Sequence, residues 1–143
     1  MPVFIDPPVD VTPTADGTWN EVDVTSHVNA GNTAGVLLEI VNPSAGEFDW
    51  GVRKNGSTDT FVGDVEDGGH DFGAIGIDSN DIFEANLADA NLEIHLHGFV
   101  EDSEGAFFDN AVEKSSGFST LNTWLDLDLS TDTGADTATY AFF

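Results

Sequence analysis

Apolar and polar residues alternate with a period of two through most of the first hundred positions, which predicts half-buried β-strands. In Trp19–Thr25, Val22 and Val24 share one face while Glu21, Asp23 and Thr25 share the other. Val36–Val41 is a nearly continuous apolar run, as suits a central strand. From Phe48 onward, Phe48, Trp50 and Val52 alternate with Asp49, Gly51 and Arg53, and the segment then reaches Asn55-Gly56, the strongest short-range hairpin signal. Phe72–Ile77 reads as a strand with small residues at Gly73, Ala74 and Gly76, where something packs closely. Ile82–Leu87 sets Phe83, Ala85 and Leu87 on one side, and Leu92, Ile94 and Leu96 alternate with Glu93, His95 and His97. Turn-forming clusters at Asn29–Asn32, Asn42–Gly46 and Asp78–Asp81 separate these runs. Short strands at a spacing of roughly 8–12 residues, with no helical period, predict an all-β fold. The expected architecture is an antiparallel β-sandwich, jelly-roll-like, spanning 18–100.

The two ends break the pattern. Residues 1–17 hold four of the five prolines, Pro2, Pro7, Pro8 and Pro13, and proline favours extended structure. An N-terminal arm is therefore expected, in which Val3, Phe4 and Ile5 either fray or anchor on a neighbouring subunit. At the other end, Thr123-Trp-Leu-Asp-Leu-Asp-Leu-Ser130 repeats Thr18-Trp-Asn-Glu-Val-Asp-Val-Thr25 at a constant offset of 105 residues. Residues 101–143 thus read as the two opening strands of a second module, a β-hairpin that is marginal alone. Its apolar residues, Trp124, Leu127, Phe142 and Phe143 among them, have to bury against their own subunit or a neighbouring one.

Charge changes the picture most. The chain has 27 acidic residues against 3 basic ones, a formal net charge of -24, with 40% hydrophobic residues including eleven Phe. The acids are spread through the strand patterns, so they coat a folded surface rather than form a disordered tail. Self-repulsion on this scale is severe in dilute buffer and largely vanishes at molar salt, where the screening length falls to about 3 Å. A halophilic origin is therefore expected. The same charge argues against nucleic-acid binding, which needs Lys and Arg. With no cysteine there is no disulfide framework or thiolate chemistry. The first residues lack the basic and apolar regions of a signal peptide, and no apolar run has the ~18 residues of a membrane span.

Candidate chemistry is sparse. His95 and His97, two apart on a strand, share a face that His70 or Asp71 could approach, a permissible arrangement for Zn²⁺ or Ni²⁺. Two outward histidines on a wet strand are more often plain polar surface. Asp64, Glu66, Asp67 and Asp71 could gather around Ca²⁺, but without the spacing of an EF-hand. Trp19, Trp50 and Trp124 could stack on sugars, although their positions favour packing. Asn55-Gly-Ser57 matches a glycosylation acceptor on what is already a turn signal. No nucleophile elbow, phosphate loop or Ser/His/Asp order is present, and carboxylate pairs are too common to be diagnostic, so neither catalysis nor a cofactor is expected. Arg53 and Lys54, two of the three basic side chains, serve most simply as partners for carboxylates within the subunit or across an assembly contact.

Four stretches together resemble the β-sandwich modules of tailed-phage structural proteins: Trp19-Asn-Glu-Val-Asp-Val-Thr-Ser-His-Val28, Ala34-Gly-Val-Leu-Leu-Glu-Ile-Val-Asn42, Gly51-Val-Arg-Lys-Asn-Gly-Ser-Thr-Asp59 and Ala74-Ile-Gly-Ile-Asp-Ser-Asn80. The resemblance covers about 18–100, with 107–143 as the opening of a second module. With the acidic surface, it implies a virion component of a halophilic archaeal tailed virus, located in a capsid decoration, turret, tail or fibre. The expected state is a homo-oligomer alongside other virion structural proteins, with Phe4, Arg53, Lys54, Trp124, Leu127, Phe142 and Phe143 as the candidate assembly contacts. A carbohydrate- or receptor-binding module that meets a cell-surface glycan is the alternative. Neither reading involves a membrane.

Overall fold

A computed structural model describes residues 1–110. The chain divides into compact units at Met1–Asn110 and Ala111–Phe143, and the described residues make up the first. Trp124, Leu127, Phe142, Phe143 and the expected half-module beyond residue 110 lie outside the described residues.

The described residues form eight strands and no helix: β1 (Val3–Asp10), β2 (Trp19–Asp23), β3 (Thr33–Val41), β4 (Phe48–Lys54), β5 (Gly63–Val65), β6 (His70–Gly76), β7 (Ile82–Leu87) and β8 (Glu93–Glu101). They make two antiparallel four-stranded sheets, ordered β1-β8-β3-β6 and β2-β7-β4-β5. The fold is a β-sandwich. Alternation decides what lies between the sheets, because successive side chains point to opposite faces. Val22 and Val24, then Val36, Leu38 and Ile40, then Phe83, Ala85 and Leu87, then Leu92, Ile94 and Leu96 are all buried in one core. The expected central strand is central: β3 lies between β8 and β6.

One buried polar side chain ties the loops to this core. Asn42 is fully buried, and its Nδ2 donates to the carbonyls of Gly46, Val65 and Glu66 while its Oδ1 accepts from Ser44 N and Oγ. An amide in the core is tolerable only when satisfied in this way.

Two elements differ from expectation. The segment read as an arm contributes β1, an edge strand antiparallel to β8, with Val3 opposite Phe99 and Phe4 opposite Gly98. Pro7 and Pro8 fall inside the register shift between Phe4 and Val9, where missing N–H donors break no regular ladder. The backbone of Val3 comes so close to Gly98 that an added Cβ there would lie 2.4 Å from Val3 O. Asn55-Gly56 also does not join two strands directly. Ser57 N donates to Lys54 O at 3.0 Å around the turn, but of its two central residues only the second, Gly56, has a positive φ (78°), whereas the tight hairpin turns need it at both or at the first. The chain instead runs through an eight-residue loop, 55–62, before β5 pairs Val65 with Phe48.

Candidate interaction surface

The candidate residues distribute over three places. The first is the covered outer face of the second sheet. Arg53 on β4 stands opposite Glu84 on β7 in register, and Nε donates to Glu84 Oε2 at 2.8 Å and Nη2 to Oε1 at 3.2 Å. Nη1 donates to the Asp59 carbonyl at 2.7 Å, and the guanidinium lies 4.2 Å from the Trp19 ring centroid. Both ion-pair side chains are only 15% exposed. Gly51 makes this possible, since a Cβ there would meet Phe61 O at 2.8 Å and the Trp19 ring at 2.9 Å. Arg53 therefore clamps the 55–62 loop inside its own subunit, the first of the two roles expected for it. Lys54 pairs with Asp109. The acceptor-like Asn55 uses Nδ2 to bond Asp78 at 2.9 Å, and Ser57 is buried.

The second place is an open cleft of about 440 Å³ at one end of the sandwich, lined by Thr33, Lys54, Asp78, Asp81, Asp102 and Phe107 among others. Two of its carboxylates, those of Asp78 and Asp81, are occupied with the fold. Burial pushes Asp78 up, but donation from Asn55 Nδ2 and from the Ile82 and Asn80 backbone outweighs it and leaves the group below its usual range. Asp81, buried and at φ 61°, accepts from Gly31 N. Phe107 packs over Gly35 and Gly76, where added Cβ atoms would lie 2.4 and 2.7 Å from it.

The third place is the outer face of the first sheet, where Phe4 and Phe72 are exposed. Glu39 on β3 receives a histidine from each side: His70 Nδ1 on β6 lies 2.7 Å from Oε1, and His97 Nε2 on β8 lies 2.6 Å from Oε2. His97 reaches this far because it is the extra residue in a β8 irregularity, where Leu37 pairs with Gly98 but Leu38 pairs with Leu96. The His70 and His97 hydrogen bonds hold the Glu39 carboxyl below its ordinary range. The candidate metal ligands His95, His97 and Asp71 do not converge. His95 Nε2 turns to Glu93 Oε2 at 2.9 Å, while Asp71 accepts from the Trp50 indole at 3.0 Å, bridging the two sheets. No group of three or more His, Asp or Glu among the described residues is arranged to hold a metal ion. Glu39, the carboxylate around which two histidines gather, was not singled out from the sequence; its one signal is being the lone acid in an otherwise apolar run. Beside it Phe72, 70% exposed, stands edge-on to His97 with ring centroids 6.0 Å apart. Phe4 is 73% exposed on β1.

Among the described residues, fold and surface define an antiparallel β-sandwich of an acidic chain, with exposed aromatic and histidine side chains on the outer face of its first sheet. In comparisons with protein-family models, curated proteins and solved structures, the chain matches none.

Proposed function

We propose that this chain is a structural module of a virus particle from a high-salt environment, in a capsid decoration, turret or tail, that works by symmetric self-association alongside other virion proteins. The observation that carries the reading is the coexistence of exposed Phe4 and Phe72 on a sheet face with a net charge of -24. Large apolar side chains on a like-charged surface become useful for association only when salt screens the repulsion. The strand order supports it. β1-β8-β3-β6 opposite β2-β7-β4-β5, with every connection except β4–β5 crossing between sheets, fits an eight-stranded jelly roll, an architecture that viral capsid and lectin domains share. That is support by analogy of fold, which does not by itself assign a task. The glycan-binding alternative draws less support, because Trp19 lies beneath Arg53 and Trp50 is bonded to Asp71.

The test is the mass of the purified chain by light scattering at low salt and in molar KCl. A defined oligomer in molar salt is expected; a monomer at every salt concentration overturns the proposal.

A further inference from the structure

We propose that the free edge of β6 is the self-association surface, pairing antiparallel with the β6 edge of a second copy so that two four-stranded sheets become one. The inference rests on the self-assembly reading above and names its interface.

The ladder identifies which backbone groups are free. Ile77 N donates to Ala34 O at 3.1 Å, and Asn42 N to Gly69 O at 3.0 Å. Both bonds fall on the β3–β6 register, which pairs Val36 with Ile75, Leu38 with Gly73 and Ile40 with Asp71. Bonded and non-bonded pairs alternate along an antiparallel ladder. Asp71, Gly73 and Ile75 therefore spend their N–H and C=O groups on β3, whereas those of His70, Phe72, Ala74 and Gly76 point away from it. β6 has no second neighbour among the described strands.

The other three edges carry devices that discourage pairing. β1 has Pro7 and Pro8 within a register shift. β2 is five residues long with exposed Glu21 and Asp23, and β5 is three residues long. β6 is seven residues long, has no proline or lysine, and its one carboxylate, Asp71, is turned inward onto Trp50.

Charge permits a second copy as the occupant, and the shape of the strand favours it. In a chain of net charge -24, two copies meet at least cost where carboxylates do not oppose each other, and none of the four edge-directed residues of β6 is acidic. A two-fold axis at Gly73 sets Phe72 opposite Ala74 of the partner subunit, large against small, and forms about four backbone hydrogen bonds. Gly73 has open space on its own side, and the Gly76 end, beneath Phe107, limits the pairing to the middle of the strand.

Ala74→Pro tests this, because the N–H it removes faces the free edge and contributes nothing to the chain's own ladder. Phe72→Lys, at an exposed position, is the second variant. In molar KCl the wild type is expected as a dimer or an even multiple. Both variants are expected at half that mass or below, with unchanged far-UV circular dichroism and melting temperatures within a few degrees. Folded variants that keep the wild-type mass overturn the β6 interface while leaving the self-assembly reading intact. A wild type that is monomeric at every salt concentration overturns both. Association that survives Ala74→Pro but disappears on deletion of 111–143 assigns the contact to the C-terminal segment and overturns the β6 proposal.

Discussion

Replacing Arg53 by Met should unfold the protein at a markedly lower temperature, and the size of the effect can be worked from what the guanidinium touches. The substitution keeps most of the side-chain volume, so the loss is electrostatic. It strands the Glu84 carboxylate, which is 15% exposed, and removing one partner of a buried pair costs about 3–5 kcal/mol when water is excluded. Residual exposure of both partners lowers this to roughly 2–3 kcal/mol. The lost bond to the Asp59 carbonyl contributes about 1 kcal/mol, and the contact with Trp19 about 0.5–1 kcal/mol. These terms share one side chain and do not add fully, so the expected loss is about 3 kcal/mol, equivalent to a fall in Tm of roughly 10–15 °C for a domain of this size. The assay is urea unfolding in molar KCl, where surface repulsion is screened but a shielded pair is not. A double variant, Arg53→Met with Glu84→Met, should recover most of the loss, since an apolar pair of similar volume leaves no orphaned charge. A single-variant loss below about 0.5 kcal/mol, or a double variant as unstable as the sum of the singles, would refute the clamp.

Other parts of the fold support three more expected outcomes. Gly98→Ala would drive a methyl into the Val3 carbonyl; a loss of about 2–3 kcal/mol is expected, with faster amide exchange along β1, and wild-type protection of β1 would sink this account. Glu39 lies below its ordinary pKa of 4.5 in the fold, so the unfolded chain binds more protons in the acid range. The stability this supplies is present above about pH 4.5 and lost as pH falls through the lower folded value; Glu39→Gln should therefore flatten the decline of Tm below that pH, and an unchanged acid slope would contradict it. Glu47 is held above its ordinary range first by Asp64 and also by Glu66 and Asp49, so its ionised form is strained by like charge. Glu47→Gln should raise Tm in low salt and leave it unchanged in molar salt, and an equal shift in both would point away from repulsion.

Much of the sandwich was legible in the sequence. Strict alternation placed Phe83, Ala85 and Leu87 on one face of β7, and Leu92, Ile94 and Leu96 on one side of the β8 region, and these are the faces that are buried. The alternation of Phe48, Trp50 and Val52 likewise matches the side of β4 packed on the core. β1 was read only as an extended arm because its prolines argue against a regular ladder; the approach of β8 supplies a partner that tolerates them. The loop after Asn55-Gly56 was missed because a turn dipeptide specifies local dihedral angles, not which strand comes next. Nor could the His70–Glu39–His97 cluster be read in advance, since it draws on three strands and on a one-residue irregularity that re-aims His97.

By itself, the sequence determined an all-β class, much of the composition of the core and a strongly acidic chain of net charge -24. Those properties are sums over local patterns and charges. Only the tertiary structure decided which of the described strands lie at sheet edges, that Arg53 is spent within the subunit, and that β6 is, among those edges, the long one without proline. Strand order and register are set by contacts between residues far apart in the chain, and a period of two says which face a side chain takes but not which neighbour it meets.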